Sequence, residues 1–198
     1  LAIAADIVPI VGENRILAHI GMQIVNSNPR MGIHAILKNN VKKEFTIRDL
    51  LYYVAPRINA SGRIAHGSLS VELLSEKQFD NAEKLFKKID HLNTQRREIE
   101  KNITKEALMQ IEESNNKNKN STVVYKNSWN KGVIGIVASK LIEKHYKPTI
   151  VFCKSEDGNL TASARSIKKV NLYKILEQCN DYIIQFGGHK LSLIHISE

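Results

Sequence analysis

Cysteine is almost missing from this 198-residue chain: Cys153 and Cys179 are the only two, and they form no CxxC pair. A disulfide framework and a zinc knot are thereby excluded, and a reducing, intracellular setting fits. Long apolar runs are missing as well. The stretch Leu1 to Ile10 is broken by Asp6 and Pro9 and is too short to cross a bilayer. No charged segment precedes an apolar core in the manner of a signal peptide, and no initiator Met opens the chain. The sequence therefore reads as an internal fragment of a cytoplasmic protein with no membrane partner. Acidic residues are scarce beside basic ones, 20 against 29, leaving a formal charge of +9. Such a surplus favours a polyanionic partner, because Lys and Arg that neutralise phosphates release condensed counterions; the alternative is a basic piece of a better balanced protein.

What is present is organised around Ala55-Pro56-Arg57-Ile58-Asn59-Ala60-Ser61-Gly62-Arg63. Short of large apolar side chains, this stretch reads as a loop. Its arginines offer planar forks of donors that match phosphate or carboxylate oxygens, while Ala60 and Gly62 allow close approach of the backbone. The same arginines would serve a structural loop by pairing with nearby acids, and the residues alone favour neither reading. Asp6, embedded in an apolar segment, needs a partner, since an unpaired buried carboxylate costs several kcal/mol. A divalent cation, Arg15 or the next helix would each supply one.

Helical spacing follows in Ile16, Leu17, Ile20, Ile24 and Val25, which predicts a helix burying one face. Met31 to Leu37 predicts a second. Thr46 and Asp49 resemble a capping arrangement for a third, through Leu50 to Val54, which Pro56 is expected to stop. After a short helix over Ser68 to Leu74, apolar residues from Phe79 to about Glu113 hold a helical period with neither Gly nor Pro. That element is roughly 50 Å long at 1.5 Å per residue, enough to connect two domains. Its polar middle, Asn93 to Arg97, suits a solvated face or a nucleic-acid groove.

Ser114 to Ser121 reads as a polar linker, and beyond it the period changes. Thr122 to Tyr125 predicts a strand, Val133 to Tyr146 a helix and Thr149 to Phe152 a parallel strand, which make a βαβ unit. Asn171 to Gln178 predicts a further helix and Ile183 to Phe186 a short strand. Gly132 and Gly135 flank a helix start, where free N–H groups attract anions. Ser163-Ala164-Arg165-Ser166 places two hydroxyls around a guanidinium, a compact phosphate cradle. Gly187-Gly188-His189 adds an imidazole on a flexible backbone, able to contact phosphate or exchange protons.

In order along the chain, Ala5-Asp6-Ile7-Val8-Pro9 with Gly12-Glu13-Asn14-Arg15, then Arg57 to Arg63, Gly132 to Ser139, Ser163 to Ser166 and Gly187 to His189 resemble the RecJ family of single-stranded-DNA exonucleases, in the DHH phosphoesterase superfamily. The resemblance implies an α/β fold in three parts: residues 1–75 as the C-terminal part of a DHH catalytic domain, 76–114 as a long connecting helix, and 121–190 as an incomplete DHH-associated domain that closes over the substrate. It implies two divalent metals, Mn2+ or Mg2+, with Asp6 among their ligands. It implies phosphate contacts from Arg57, Asn59 and Arg63, a 5′ end held by Ser163, Arg165 and Ser166, and His189 near the scissile phosphate. The implied activity is 5′ to 3′ hydrolysis of single-stranded DNA in recombination and repair, in the bacterial cytoplasm.

Three departures limit this expectation. The family's paired aspartates and Asp-His-His motif lie upstream of Asp6, so the 198 residues are expected to be inactive alone. Asn130 stands after Trp129 where relatives often carry His. The residues 191–198 do not continue the family pattern and read like a translated sequencing adapter, which would leave His195 without a role. Two alternatives stay open: a DHH phosphodiesterase acting on short oligonucleotides or cyclic dinucleotides, and a non-catalytic member that binds nucleic acid.

Overall fold

The computed structural model describes residues 1–5, 8–40, 42–114, 119–155 and 157–197. They form two compact units, residues 1–96 and 97–198, and the architecture is mixed α/β, with helices followed by a five-stranded sheet. Each unit has its own core.

The first unit is helical: α1 (Ala2–Ala5), α2 (Gly12–Ser27), α3 (Met31–Leu37), α4 (Ile47–Asp49), α5 (Ala55–Ile64), α6 (Ser68–Ser75) and the first half of α7 (Phe79–Glu113). Ile33, Ile36 and Leu37 of α3 pack with Leu50, Val54, Leu73 of α6, and Ala82, Phe86 and Ile89 of α7. Helices α3 and α6 meet very closely, because a Cβ on Gly32 would lie 2.1 Å from the Leu73 carbonyl oxygen. Asn26 ties the end of α2 to the segment before α4. Its amide donates to Phe45 O at 2.9 Å and accepts from Phe45 N–H at 2.7 Å.

Two expectations fail here. In α2 the stripe Leu17, Ile20 and Ile24 is about half exposed, at 58%, 46% and 51%. Of the expected residues only Val25 is half-buried, and it shares the inward side with Asn14, Ala18, Gly21 and Met22. Both stripes have helical spacing, so the period alone could not say which faces the core; the smaller residues permit the closer approach. The second correction concerns Pro56, which does not stop a helix. The Thr46–Asp49 capping box starts α4 as expected, with Asp49 Oδ2 accepting from Thr46 N–H at 2.8 Å and its other oxygen held by Lys42. A π-helical turn over Leu50–Val54, closed by Ala55 N–H donating to Leu50 O, then leads into α5. The wider turn makes room for the Pro56 ring at the first residues of α5, where a missing N–H costs little. The arginine-bearing stretch is therefore a helix and not a loop.

Helix α7 spans 35 residues, as the uninterrupted period predicts. In the first unit its buried positions are Ala82, Phe86, Ile89 and Asn93; in the second they are Glu100, Ile103, Ala107 and Ile111. The second unit continues with β1 (Thr122–Tyr125), α8 (Ile134–His145), β2 (Thr149–Lys154), β3 (Leu160–Arg165), α9 (Leu172–Glu177), β4 (Gln185–His189) and β5 (Ser192–Ser197). The strand order is β1-β2-β3-β5-β4. Only β1 and β2 pair in parallel, around the α8 crossover; the other neighbours are antiparallel. Ile134, Val137, Ala138 and Leu141 bury one face of α8, which packs on β2 and β3, and Tyr146 ends the helix in a left-handed conformation. Residues 192–197 form β5 between β3 and β4. The strand expected over Ile183 to Phe186 begins at Gln185 and includes Gly187-Gly188-His189, so that motif is strand and not flexible backbone.

The C-terminal half of α7 is fastened to the β1 edge. Gln110 donates to Tyr125 O at 2.9 Å and accepts from Tyr125 N–H at 3.2 Å, filling the ladder positions a further strand would take. Glu106 accepts from the indole N–H of buried Trp129 at 2.6 Å and from Lys126 at 2.9 Å. These donors hold the Glu106 carboxyl below the usual carboxylate range, the indole bond contributing most. Glu100, nearly buried, pairs with Lys140 of α8 at 2.5 Å.

Candidate nucleic-acid interface

Strand β3 brings two of the expected residues together. Ser163 and Arg165, two apart in a strand, project to the same face. Ser163 is 5% exposed, and Arg165 is half-buried. Arg165 Nη1 donates to Ser163 Oγ at 3.3 Å and to Ala164 O at 2.9 Å. Both side chains lie against the first turn of α8, since a Cβ on Gly135 would stand 2.9 Å from Ser163 Oγ and 3.4 Å from Arg165 Nη2. A hydroxyl, a guanidinium and the N-terminal turn of a 12-residue helix are thus adjacent, all of them groups that stabilise an anion. Asn130 prepares that helix start: its Oδ1 accepts from Gly132 N–H at 2.8 Å and its carbonyl from Val133 N–H at 3.0 Å.

Ser166 follows directly. Its hydroxyl donates to Val170 O at 3.0 Å, and its N–H donates to Leu191 O at 2.9 Å. The second bond sets Ser166 beside the β4–β5 turn, where His189 pairs with Ser192 and is exposed. Gly188 makes that turn possible. Its φ is +142°, and a Cβ there would meet Ser192 O at 2.3 Å. Cys153, on β2, is buried, and burial pushes its thiol pKa up, the reverse of a reactive nucleophile.

In the first unit, α5 separates the residues that a loop would have gathered. Arg57 points back to α7, with Nε donating to Asp90 Oδ1 at 2.7 Å, Nη1 donating to Tyr53 O at 2.8 Å, and the guanidinium 5.9 Å from the Phe86 ring centre. Asn59 and Arg63, four apart, share the other, exposed side of the helix. Ser61, within the same motif, is buried and bonded to Ser70 Oγ at 2.6 Å, so it serves packing against α6.

Asp6 lies outside the described residues. Among the described residues no three His, Cys, Asp or Glu side chains converge on a common point, so they do not provide the oxygen-rich donor set that a divalent cation requires. None of the described helices is long and apolar enough to cross a membrane. Sequence reasoning missed the partners that decide the geometry: Asp90 for Arg57, Glu106 for Trp129, and the empty side of Gly135 for Ser163. Only Gly135 carried a signal beforehand, as a glycine at a helix start.

Residues 118–192, which hold β1 to β4 of this mixed sheet, match the DHHA1 domain family. Over 191 residues, 95% of its length, the chain is 37% identical to the single-stranded-DNA-specific exonuclease RecJ of Bacillus subtilis, covering 24% of that protein. It is 35% identical over 202 aligned residues to RecJ of Haemophilus influenzae, covering 97% of this chain and 35% of that protein. Solved structures of Thermus thermophilus RecJ with Mg2+ and with Mn2+ superpose over 98% of the chain, with TM-scores of 0.86 and 0.87 at 23% identity, and cover 30% and 28% of those chains. Over nearly its whole length the chain is thus similar to RecJ exonucleases. It spans about a quarter to a third of the length of these curated relatives.

Proposed function

We propose that these residues form the 5′-end-holding part of a single-stranded-DNA exonuclease that works from 5′ to 3′ in recombination and repair. The observation that carries this reading is the Ser163–Arg165 pair set against the start of α8. A terminal phosphate monoester offers more charge and more acceptor oxygens than an internal phosphodiester, which suits a hydroxyl and a guanidinium acting together beside the positive end of a helix. Ser166 and His189 extend the site along the β4–β5 turn. Arg63 and Asn59 on the exposed side of α5, with Arg57 when its fork turns from Asp90, contact internal phosphates. In this reading residues 1–75 complete a DHH domain, 76–114 connect, 121–190 form the end-holding domain, and 191–198 are foreign to the family.

Hydrolysis in this reading uses Mn2+ or Mg2+, with Asp6 as one ligand and the others supplied outside these residues. The 198 residues alone then bind without cutting. The test is equilibrium binding of single strands that differ only at the 5′ end. A 5′-phosphate is expected to bind more tightly than a 5′-hydroxyl, with Arg165→Ala erasing the difference; equal affinities count against the assignment. Added Mn2+ is expected to give no cleavage, and turnover abolished by Asp6→Ala would overturn the inactive-fragment reading.

A further inference from the structure

We infer that Gly135 is a positioning residue of the phosphate site: the absence of a side chain at the first turn of α8 keeps Ser163 and Arg165 aimed at one ligand. The inference rests on the reading of Ser163 and Arg165 given above.

Gly135 is not needed for its backbone. Its φ is not among the positive values of the chain, and helix interiors favour alanine over glycine. What glycine provides is space, and the atoms that border that space belong to the site. A Cβ would lie 2.9 Å from Ser163 Oγ, closer than real Cβ atoms come, 3.4 Å from Arg165 Nη2 and 3.6 Å from Ser163 Cβ. At Gly32 and Gly188 the obstructing atoms are main-chain oxygens, of Leu73 and Ser192, which cannot withdraw without moving an element. At Gly135 the obstructing atom ends a single rotatable bond. Alanine is therefore accommodated by turning Ser163 about χ1, which gives up only the long 3.4 Å bond from its hydroxyl to Leu193 O besides the contact with Arg165, and the fold survives.

The turn has a functional consequence. Ser163 Oγ accepts from Arg165 Nη1 at 3.3 Å; rotated away, it no longer shares its position with the guanidinium. Arg165 keeps its bond to Ala164 O and so stays on the strand, with the hydroxyl no longer beside it. Residue 135 thus decides whether hydroxyl and guanidinium address the same phosphate.

The experiment measures binding of 3′-labelled single strands, with 5′-phosphate or 5′-hydroxyl, to the 198-residue chain, and records each variant's melting. Gly135→Ala is expected to melt like the wild type and to reduce the preference for the 5′-phosphate about tenfold, the scale of one hydrogen bond to a charged group. Ser163→Ala is expected to reduce it similarly. In the Ser163→Ala background Gly135→Ala is expected to add nothing, because the nearest remaining atoms, Arg165 Nη2 at 3.4 Å and the residue-163 Cβ at 3.6 Å, are at ordinary contact distance. A wild type without preference sinks the site reading, and the inference falls with it. A wild-type preference that survives Gly135→Ala overturns the inference alone. So do additive losses in the double variant, or a Gly135→Ala chain that fails to melt cooperatively and is not rescued by Ser163→Ala.

Discussion

Arg57 Nε donates to Asp90 Oδ1 at 2.7 Å, joining α5 to α7. An arginine proposed to bind phosphate is thus already engaged by a carboxylate that a phosphate must displace. Replacing Asp90 by Asn removes the competing charge and is expected to raise affinity for single-stranded DNA at low salt, whereas Arg57→Ala lowers it. Anisotropy titrations at two salt concentrations check both. The Asp90 side chain is 43% exposed, so the effect on stability stays within about 1 kcal/mol.

Trp129 buries its indole N–H against Glu106. Glu106→Ala leaves that donor without its acceptor and is expected to cost about 1–3 kcal/mol. Glu106→Gln, which retains an acceptor oxygen, is expected to cost less. Urea denaturation followed by the fluorescence of Trp129, the chain's single tryptophan, reads both variants. Equal losses would mean that the charge contact with Lys126 matters more than the indole bond.

Asp49 makes the fold sensitive to acid. Its carboxyl is lowered from 3.8 to about 2, chiefly by the hydrogen bond from Lys42 and next by the Thr46 N–H. A group whose folded pKa is depressed stabilises fully above its unfolded value, and that contribution fades as pH falls through the folded value. The melting temperature is therefore expected to drop between pH 4 and pH 2. Asp49→Asn is expected to start lower at neutral pH and to show less of this drop. An identical acid slope in the variant would assign the effect to other carboxylates.

Gly32→Ala forces a Cβ to within 2.1 Å of a main-chain oxygen of α6. Helices α3 and α6 must separate, at about 2–3 kcal/mol, the upper part of what overpacking costs. Leu17→Ser, on the exposed stripe of α2, is expected to change the stability of the 198-residue chain by well under 1 kcal/mol. Thermal melts of the two variants side by side check the contrast, and a large loss for Leu17→Ser would show that this stripe is covered in solution.

The sequence by itself determined many of the elements and the residue types they carry. An unbroken period without Gly or Pro specified α7 to its observed ends, Thr46 with Asp49 specified the start of α4, and the change of period after residue 121 specified the βαβ unit. Those signals are local, resting on propensity, capping and spacing within a few turns. Only the tertiary structure decided how the chemistry is arranged. Whether Pro56 breaks a helix depends on a π-turn that the preceding residues adopt under packing. Which stripe of α2 faces inward depends on what it meets across the core. Ser163 and Arg165 stand side by side against a helix start only because β3 lies beneath α8, about thirty residues earlier in the chain, at a glycine that leaves them space. Contacts between residues far apart in sequence leave no periodic trace, so the side of each element that does the work is set by packing.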